Sequence, residues 1–213
     1  MTEKVKKNKT IKAWVHRQLN DIYVKDAKKD GFRSRAAYKL LEFDENDSIF
    51  YNVKTVVDLG CAPGSWSQMA VKKVGESGKV FGVDLLDMHP IYGVEFIQGD
   101  FTENETLDKL LDVMEHKKVD LVISDMAPNL SGIKNVDQVR GAYLVELVLD
   151  FARGYLKVGG NCLIKVFHGS EFDNLVKIAR EMFQQVVIRK PDASRSSSSE
   201  TYLLCKHKKQ NMV

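Results

Sequence analysis

Lys39, Asp125, Lys165 and Glu200 lie in four separate segments, and three of them adjoin strongly apolar or strand-like runs, where an unpaired charge is costly. Asp125 closes the run Val119-Asp120-Leu121-Val122-Ile123-Ser124. Lys165 interrupts Cys162-Leu163-Ile164 and Val166-Phe167, and Glu200 precedes Thr201-Tyr202-Leu203-Leu204-Cys205. Two lysines and two carboxylates could therefore meet at one edge of a sheet, and the balance of burial and neighbouring charge decides whether one lysine can act as a base there. Lys165 is the sharpest of the four signals, because lysine within a buried strand is rare unless paired. Lys39 has the strongest ordinary explanation, since Arg35, Lys39 and Glu42 could line one solvated helix face.

A second group of residues describes a ligand site. Val56-Val57-Asp58-Leu59-Gly60-Cys61-Ala62-Pro63-Gly64-Ser65-Trp66 reads as a strand, a glycine turn and a helix start, where ligands sit at the carboxyl edge of a sheet. The spacing is Gly-x-x-x-Gly; neither the dinucleotide fingerprint nor a Walker lysine is present, so phosphate cradles fit poorly. Asp84 ends the next strand, where a carboxylate can accept from both hydroxyls of a ribose. Asp100 follows Phe96-Ile97-Gln98-Gly99, where it can accept from an exocyclic adenine amine. Each aspartate alone could cap a helix. With Asp125 they make an adenosine-shaped set, and S-adenosylmethionine is the adenosine cofactor that needs no phosphate cradle. Trp66 either covers that cofactor or packs the first helix of the turn.

These residues need elements to carry them. Strand-like runs fall at 55–60, 79–85, 94–100, 119–125 and 161–167, separated by helix-like stretches near 65–75, 103–117, 136–156 and 170–182. The alternation predicts a mainly parallel sheet covered on both faces. Two closing strands near 183–190 and 200–208 have no helix between them, so the last is expected to insert antiparallel. Upstream, residues 11–30 read as a basic helix ended by Gly31, and Ser34 is placed to cap a helix from Arg35 to about Phe43. The expected division is a basic, partly helical N-terminal extension (1–30) that binds RNA, one domain (31–209) and a short tail (210–213). Ser196 to Ser199 reads as a linker or a mobile loop beside Glu200.

The 213 residues suit a single domain of ordinary size. The apolar runs are too short for a bilayer span and the N-terminus lacks a signal-peptide core, so a cytoplasmic protein is expected. Cys61, Cys162 and Cys205 form neither a disulfide framework nor a metal site, and no two histidines share ligand spacing, so no metal is expected. Charge is segregated: residues 1–40 carry 12 Lys/Arg against 4 Asp/Glu, residues 41–183 carry 14 against 23, and residues 184–213 carry 6 against 2. Basic ends suggest a polyanion partner. The Lys4-to-Lys12 cluster could equally be a solubilising tail. Arg17, Lys25, Lys28, Lys29, Arg33 and Arg35 are better evidence, being interleaved with Trp14, Tyr23, Phe32 and Tyr38.

Taken together, the chain resembles the FtsJ-type heat-shock methyltransferases, which modify a uridine ribose 2′-hydroxyl in bacterial large-subunit ribosomal RNA. The likeness runs over Arg33-Ser34-Arg35-Ala36 to Lys39, Val56 to Trp66, Asp84-Leu85-Leu86, Gln98-Gly99-Asp100-Phe101, Ser124 to Asn129, Tyr143 to Leu147, Lys165-Val166-Phe167, and Arg189-Lys190-Pro191-Asp192 through Ser194-Arg195 to Glu200. It implies a Rossmann-like, S-adenosylmethionine-dependent methyltransferase fold: an α/β architecture whose seven-stranded, mostly parallel sheet has one antiparallel strand and helices on both faces. It implies Lys39, Asp125, Lys165 and Glu200 as the catalytic set, with Lys165 as proton acceptor, and cofactor contacts by Gly64, Trp66, Asp84, Asp100 and Asp125. Cys61 and Ser65 depart from the alanine and glycine expected in the family's turn. The implied substrate is ribosomal RNA in the large ribosomal subunit, handled by a monomer.

Alternatives of the same chemistry are a transfer-RNA or mitochondrial ribosomal-RNA 2′-O-methyltransferase. Those of other classes are a ribosome-assembly RNA-binding protein with an inactive pocket, and a nicotinamide-dependent oxidoreductase, which the missing dinucleotide turn weakens.

Overall fold

The computed structural model describes residues 21–195 and 198–210. Helices α1 (Ile22–Lys29) and α2 (Ala36–Asp47) lead into β1 (Thr55–Leu59), α3 (Ser65–Val74), β2 (Lys79–Asp84), β3 (Val94–Gln98), α4 (Asn104–Val113) and β4 (Val119–Ser124). The chain continues through α5 (Lys134–Tyr155), β5 (Leu156–Phe167), α6 (Phe172–Met182), β6 (Phe183–Arg189) and β7 (Glu200–Lys208). The strands form one seven-stranded sheet in the order β3-β2-β1-β4-β5-β7-β6. From β3 through β5 every pairing is parallel, and β7 runs antiparallel to both β5 and β6.

The central strands are buried from both sides, which is why they read as unbroken apolar runs. One core lies where Val57, Leu59, Val122, Ile164 and Leu203 meet α4, α5 and α6 through Leu110, Val148 and Leu175. The other lies where Val56, Leu121, Leu163 and Tyr202 meet α2 and α3 through Leu40, Phe43, Trp66 and Met69. Because side chains alternate along a strand, Leu163 and Lys165 share the second face, and register pairing sets Lys165 opposite Tyr202.

Several boundaries differ from those expected. The basic helix is described from Ile22, with Asp21 capping it through the Tyr23 N–H at 3.1 Å; its expected first half lies outside the described residues. The next helix starts at Ala36, where the Ser34 hydroxyl accepts the Ala36 N–H at 3.2 Å. Strand β5 begins at Leu156, earlier than expected, because Leu156 pairs with Val119 before a register shift puts Asn161 opposite Leu121. Helix α4 stops at Val113, and Glu115 and His116 just beyond it take positive φ. No helix among the described residues is long and apolar enough to cross a membrane, and no group of three His, Cys, Asp or Glu among them could hold a metal.

Candidate active site

The strand order reverses direction at β1, which lies between β2 and β4. A crevice opens at such a point beyond the strand carboxyl ends. Here it is a cleft of about 570 Å³, lined by Gly60 and Ala62 from the turn, Asp84 to Leu86 after β2, Asp100 to Thr102 after β3, Asp125 to Asn129 after β4, and Arg140, Tyr143 and Leu144 of α5. Gly60, at φ +78, has no room for a side chain: a Cβ would stand 2.5 Å from Met126 Cγ.

The cleft's carboxylates are held and aimed. Asp84 Oδ2 accepts the Ala62 N–H and its Oδ1 the Leu86 N–H, both at 2.8 Å. Each oxygen keeps a lone pair for hydroxyls. Asp100 uses one oxygen for both the N–H and the hydroxyl of Thr102, at 2.9 and 2.8 Å, leaving the other for an amine donor. Gly64 and Trp66 stand behind this lining. Gly64 packs beneath Arg33, Met88 and Ile91. The Trp66 indole donates to the Ala36 carbonyl at 2.7 Å and lies 6.0 Å from the Tyr202 ring, so its side chain packs α3 against α2 and β7.

The four charged residues singled out in the sequence form one cluster, with both lysines beside Asp125 and Glu200 on Lys39. Lys165 Nζ is 3.1 Å from Asp125 Oδ1 and also donates to the Asp125 backbone carbonyl. Lys39 Nζ is 2.8 Å from Glu200 Oε1 and 3.8 Å from Asp125 Oδ1. The lysines are 8 and 9 % exposed, so these pairings compensate cations that are largely out of water. The convergence follows from sheet register. Ser124 pairs with Ile164 and Lys165 with Tyr202, which puts Asp125, Lys165 and Tyr202 in one row across β4, β5 and β7.

Tyr202 was not singled out in the sequence, because it reads as one more apolar strand residue. It is fully buried, and its hydroxyl accepts from Lys39 Nζ at 2.9 Å and donates to Asp125 Oδ1 at 2.6 Å. Burial, then the charges of Asp125 and Glu200, push its phenol far above the usual tyrosine range, so it stays a proton donor. Asp58 was also missed. Its Oδ2 accepts from the Ser67 hydroxyl at 2.6 Å while its Oδ1 is buried without a partner. Burial, aided by Asp125 and Asp84 and opposed by Ser67, pushes its carboxyl up to about 7.

A profile of FtsJ-like methyltransferases matches residues 32–208. The chain belongs to the FtsJ-like methyltransferase family. Among curated relatives, Ribosomal RNA large subunit methyltransferase E of Methylobacillus flagellatus is 57% identical over 200 residues, covering 94% of this chain and 97% of the relative. Its counterpart in Azoarcus sp. is 54% identical over 200 residues, covering 94% and 98%. Among solved structures, a candidate ribosomal RNA methyltransferase from Plasmodium falciparum aligns with TM-score 0.73 at 34% identity, covering 83% of this chain and 98% of that one. Fibrillarin of Aeropyrum pernix, with TM-score 0.55 and 16% identity over 81% of this chain and 74% of that one, shares the fold. As an FtsJ-like methyltransferase, the protein takes its methyl group from S-adenosylmethionine. The cleft fits that donor: it offers hydroxyl- and amine-accepting carboxylates to a ligand carrying net positive charge.

Proposed function

We propose that this FtsJ-like methyltransferase methylates the ribose 2′-hydroxyl of a uridine in large-subunit ribosomal RNA, on the assembled 50S subunit and as a cytoplasmic monomer. The observation that carries the reading is the meeting of Lys165, Lys39 and Glu200 around Asp125, which itself lines the donor cleft. That the Methylobacillus and Azoarcus relatives are ribosomal RNA large subunit methyltransferases supports the RNA class.

S-adenosylmethionine supplies an electrophilic methyl on a sulfonium that departs as a neutral thioether, so no acid is needed. What the protein adds is deprotonation and alignment. Lys165 accepts the proton of the ribose hydroxyl as the carbon–oxygen bond forms. Asp125 holds that amine through its side chain and its carbonyl. Lys39, held by Glu200 and Tyr202, orients the hydroxyl and stabilises developing negative charge. Asp84 and Asp100 hold the ribose and adenine of the donor. The exposed Lys25, Lys28 and Lys29 of α1, with Lys72 4.9 Å over the Phe32 ring, offer phosphates a basic surface.

Mapping 2′-O-methyl groups in ribosomal RNA from cells with and without the gene tests the target. One uridine should lose its methyl in the deletion strain, and purified protein should restore it on 50S subunits. An unchanged methylation map, or faster methylation of transfer RNA, would overturn the assignment.

A further inference from the structure

Arg33 reads in the sequence as one more cation of a phosphate-binding face, but three of its guanidinium N–H groups are held by the molecule's own backbone. Nη1 donates to the carbonyls of Pro63 at 2.9 Å and His89 at 2.6 Å, and Nη2 to that of Pro90 at 2.9 Å. Its backbone N–H donates to Gln68 Oε1 at 3.0 Å, while Gln68 Nε2 donates to the Gly31 carbonyl at 3.1 Å. The neighbouring hydroxyls of Ser34 and Ser65 lie 2.7 Å apart. A short stretch before α2 is thus stitched to the glycine turn, to the start of α3 and to the loop after β2.

Gly64 shows how closely the guanidinium sits. At φ +106, a Cβ there would lie 2.9 Å from Arg33 Nη1 and 2.5 Å from Ile91 Cδ1. The second glycine of the turn therefore makes room for Arg33 and the loop beyond β2. Pro63, whose carbonyl Arg33 holds, follows Ala62, whose N–H holds Asp84 Oδ2. The guanidinium thus reaches the donor cleft through one residue of turn.

We propose that Arg33 is a positioning residue for the methyl donor: it pins the glycine turn and the loop after β2 in the shape that receives S-adenosylmethionine. The planar fork of arginine serves three carbonyls from two loops in one fixed geometry, which a shorter-reaching point charge on a flexible stem does not preset. Without it those loops must be ordered by the ligand, and that cost is taken from binding. The proposal rests on S-adenosylmethionine as donor and is independent of which RNA is the acceptor.

The test compares Arg33→Ala and Arg33→Lys with the full-length wild type by titration calorimetry against S-adenosylmethionine, together with initial rates and RNA binding across salt concentrations. Arg33→Ala should weaken donor binding roughly tenfold or more, raising the KM for the donor while kcat at saturation changes little, with Arg33→Lys in between. The RNA salt slope should stay as in the wild type, and amides of residues 60–64 and 86–91 should exchange faster in donor-free variants. If instead donor affinity is unchanged and the salt slope drops by about one phosphate contact, Arg33 is an RNA ligand and the proposal falls. Should Arg33→Ala not fold, Arg33→Lys with wild-type donor affinity overturns it alone. A wild type that fails to bind the donor would remove the donor assignment itself.

Discussion

Tyr202→Phe removes one oxygen from the site and leaves the ring to pack against Phe43 and Trp66. That oxygen bridges Lys39 at 2.9 Å and Asp125 at 2.6 Å, and both bonds are charge-assisted. Bonds of this kind contribute about 1.5–3 kcal/mol each. Both partners keep other contacts, Lys39 with Glu200 and Asp125 with Lys165, so the two losses overlap and a net destabilisation of about 2 kcal/mol is expected. For a domain of this size that lowers Tm by roughly 4–8 °C. Turnover should fall about tenfold, because Lys39 and Asp125 lose the group that holds them apart at a set distance, while donor affinity holds within a factor of about two. Thermal denaturation, calorimetry with S-adenosylmethionine and methyl transfer to 50S subunits read the three quantities. A variant with unchanged Tm and unchanged turnover would show that the hydroxyl bridges nothing, and the account of the site's rigidity would fail.

Lys165→Ala should lower kcat by about 10²–10⁴-fold with donor affinity nearly intact, since Lys165 lies outside the cleft lining; an active variant would refute its role as proton acceptor. Asp58→Asn should change the pH profile of stability. The folded carboxyl, up at about 7, holds its proton where the unfolded one has lost it, so the native state is penalised increasingly as pH rises from about 4 to about 7 and fully above that. Asparagine removes a penalty of the order of 4 kcal/mol, so the variant's Tm should gain on the wild type at pH 8 relative to pH 5; an equal difference at both would contradict the buried-carboxylate reading. Replacing Lys25, Lys28 and Lys29 by glutamine should weaken RNA binding and flatten its salt slope by up to about 2–3 units. Unchanged affinity in filter binding across salt concentrations would move the RNA surface elsewhere.

Much of this site was legible because charge stands out against apolar strands. Lys165 and Asp125 announce themselves within or beside runs of valine, leucine and isoleucine, and the glycine turn is visible in its spacing. What stayed hidden were polar atoms on residues that look apolar or superficial. Tyr202 looks like strand packing until its hydroxyl is seen between two charges. Arg33 looks like a surface cation until its carbonyl partners, 30 and more residues away, are in place. The rule that buried lysines mark function also has an exception in Lys208, which is 2 % exposed and donates to the Arg153 and Leu156 carbonyls at the end of α5, a packing role rather than a chemical one. The early start of β5 was hidden because Lys157-Val158-Gly159-Gly160 reads as a loop, and only pairing with β4 extends the strand through it.

Strand β7 enters the sheet between β5 and β6, and among the described residues β6 pairs with it alone. It also carries Glu200 and Tyr202. The cleft lining comes entirely from segments that precede β5 in the chain, α5 being the last of them, whereas the ion-pair cluster beside it is closed only by the strand inserted after β6. The two halves of the site are thus written far apart in the chain, and the inserted strand that brings them together is the one that runs against the direction of both strands beside it.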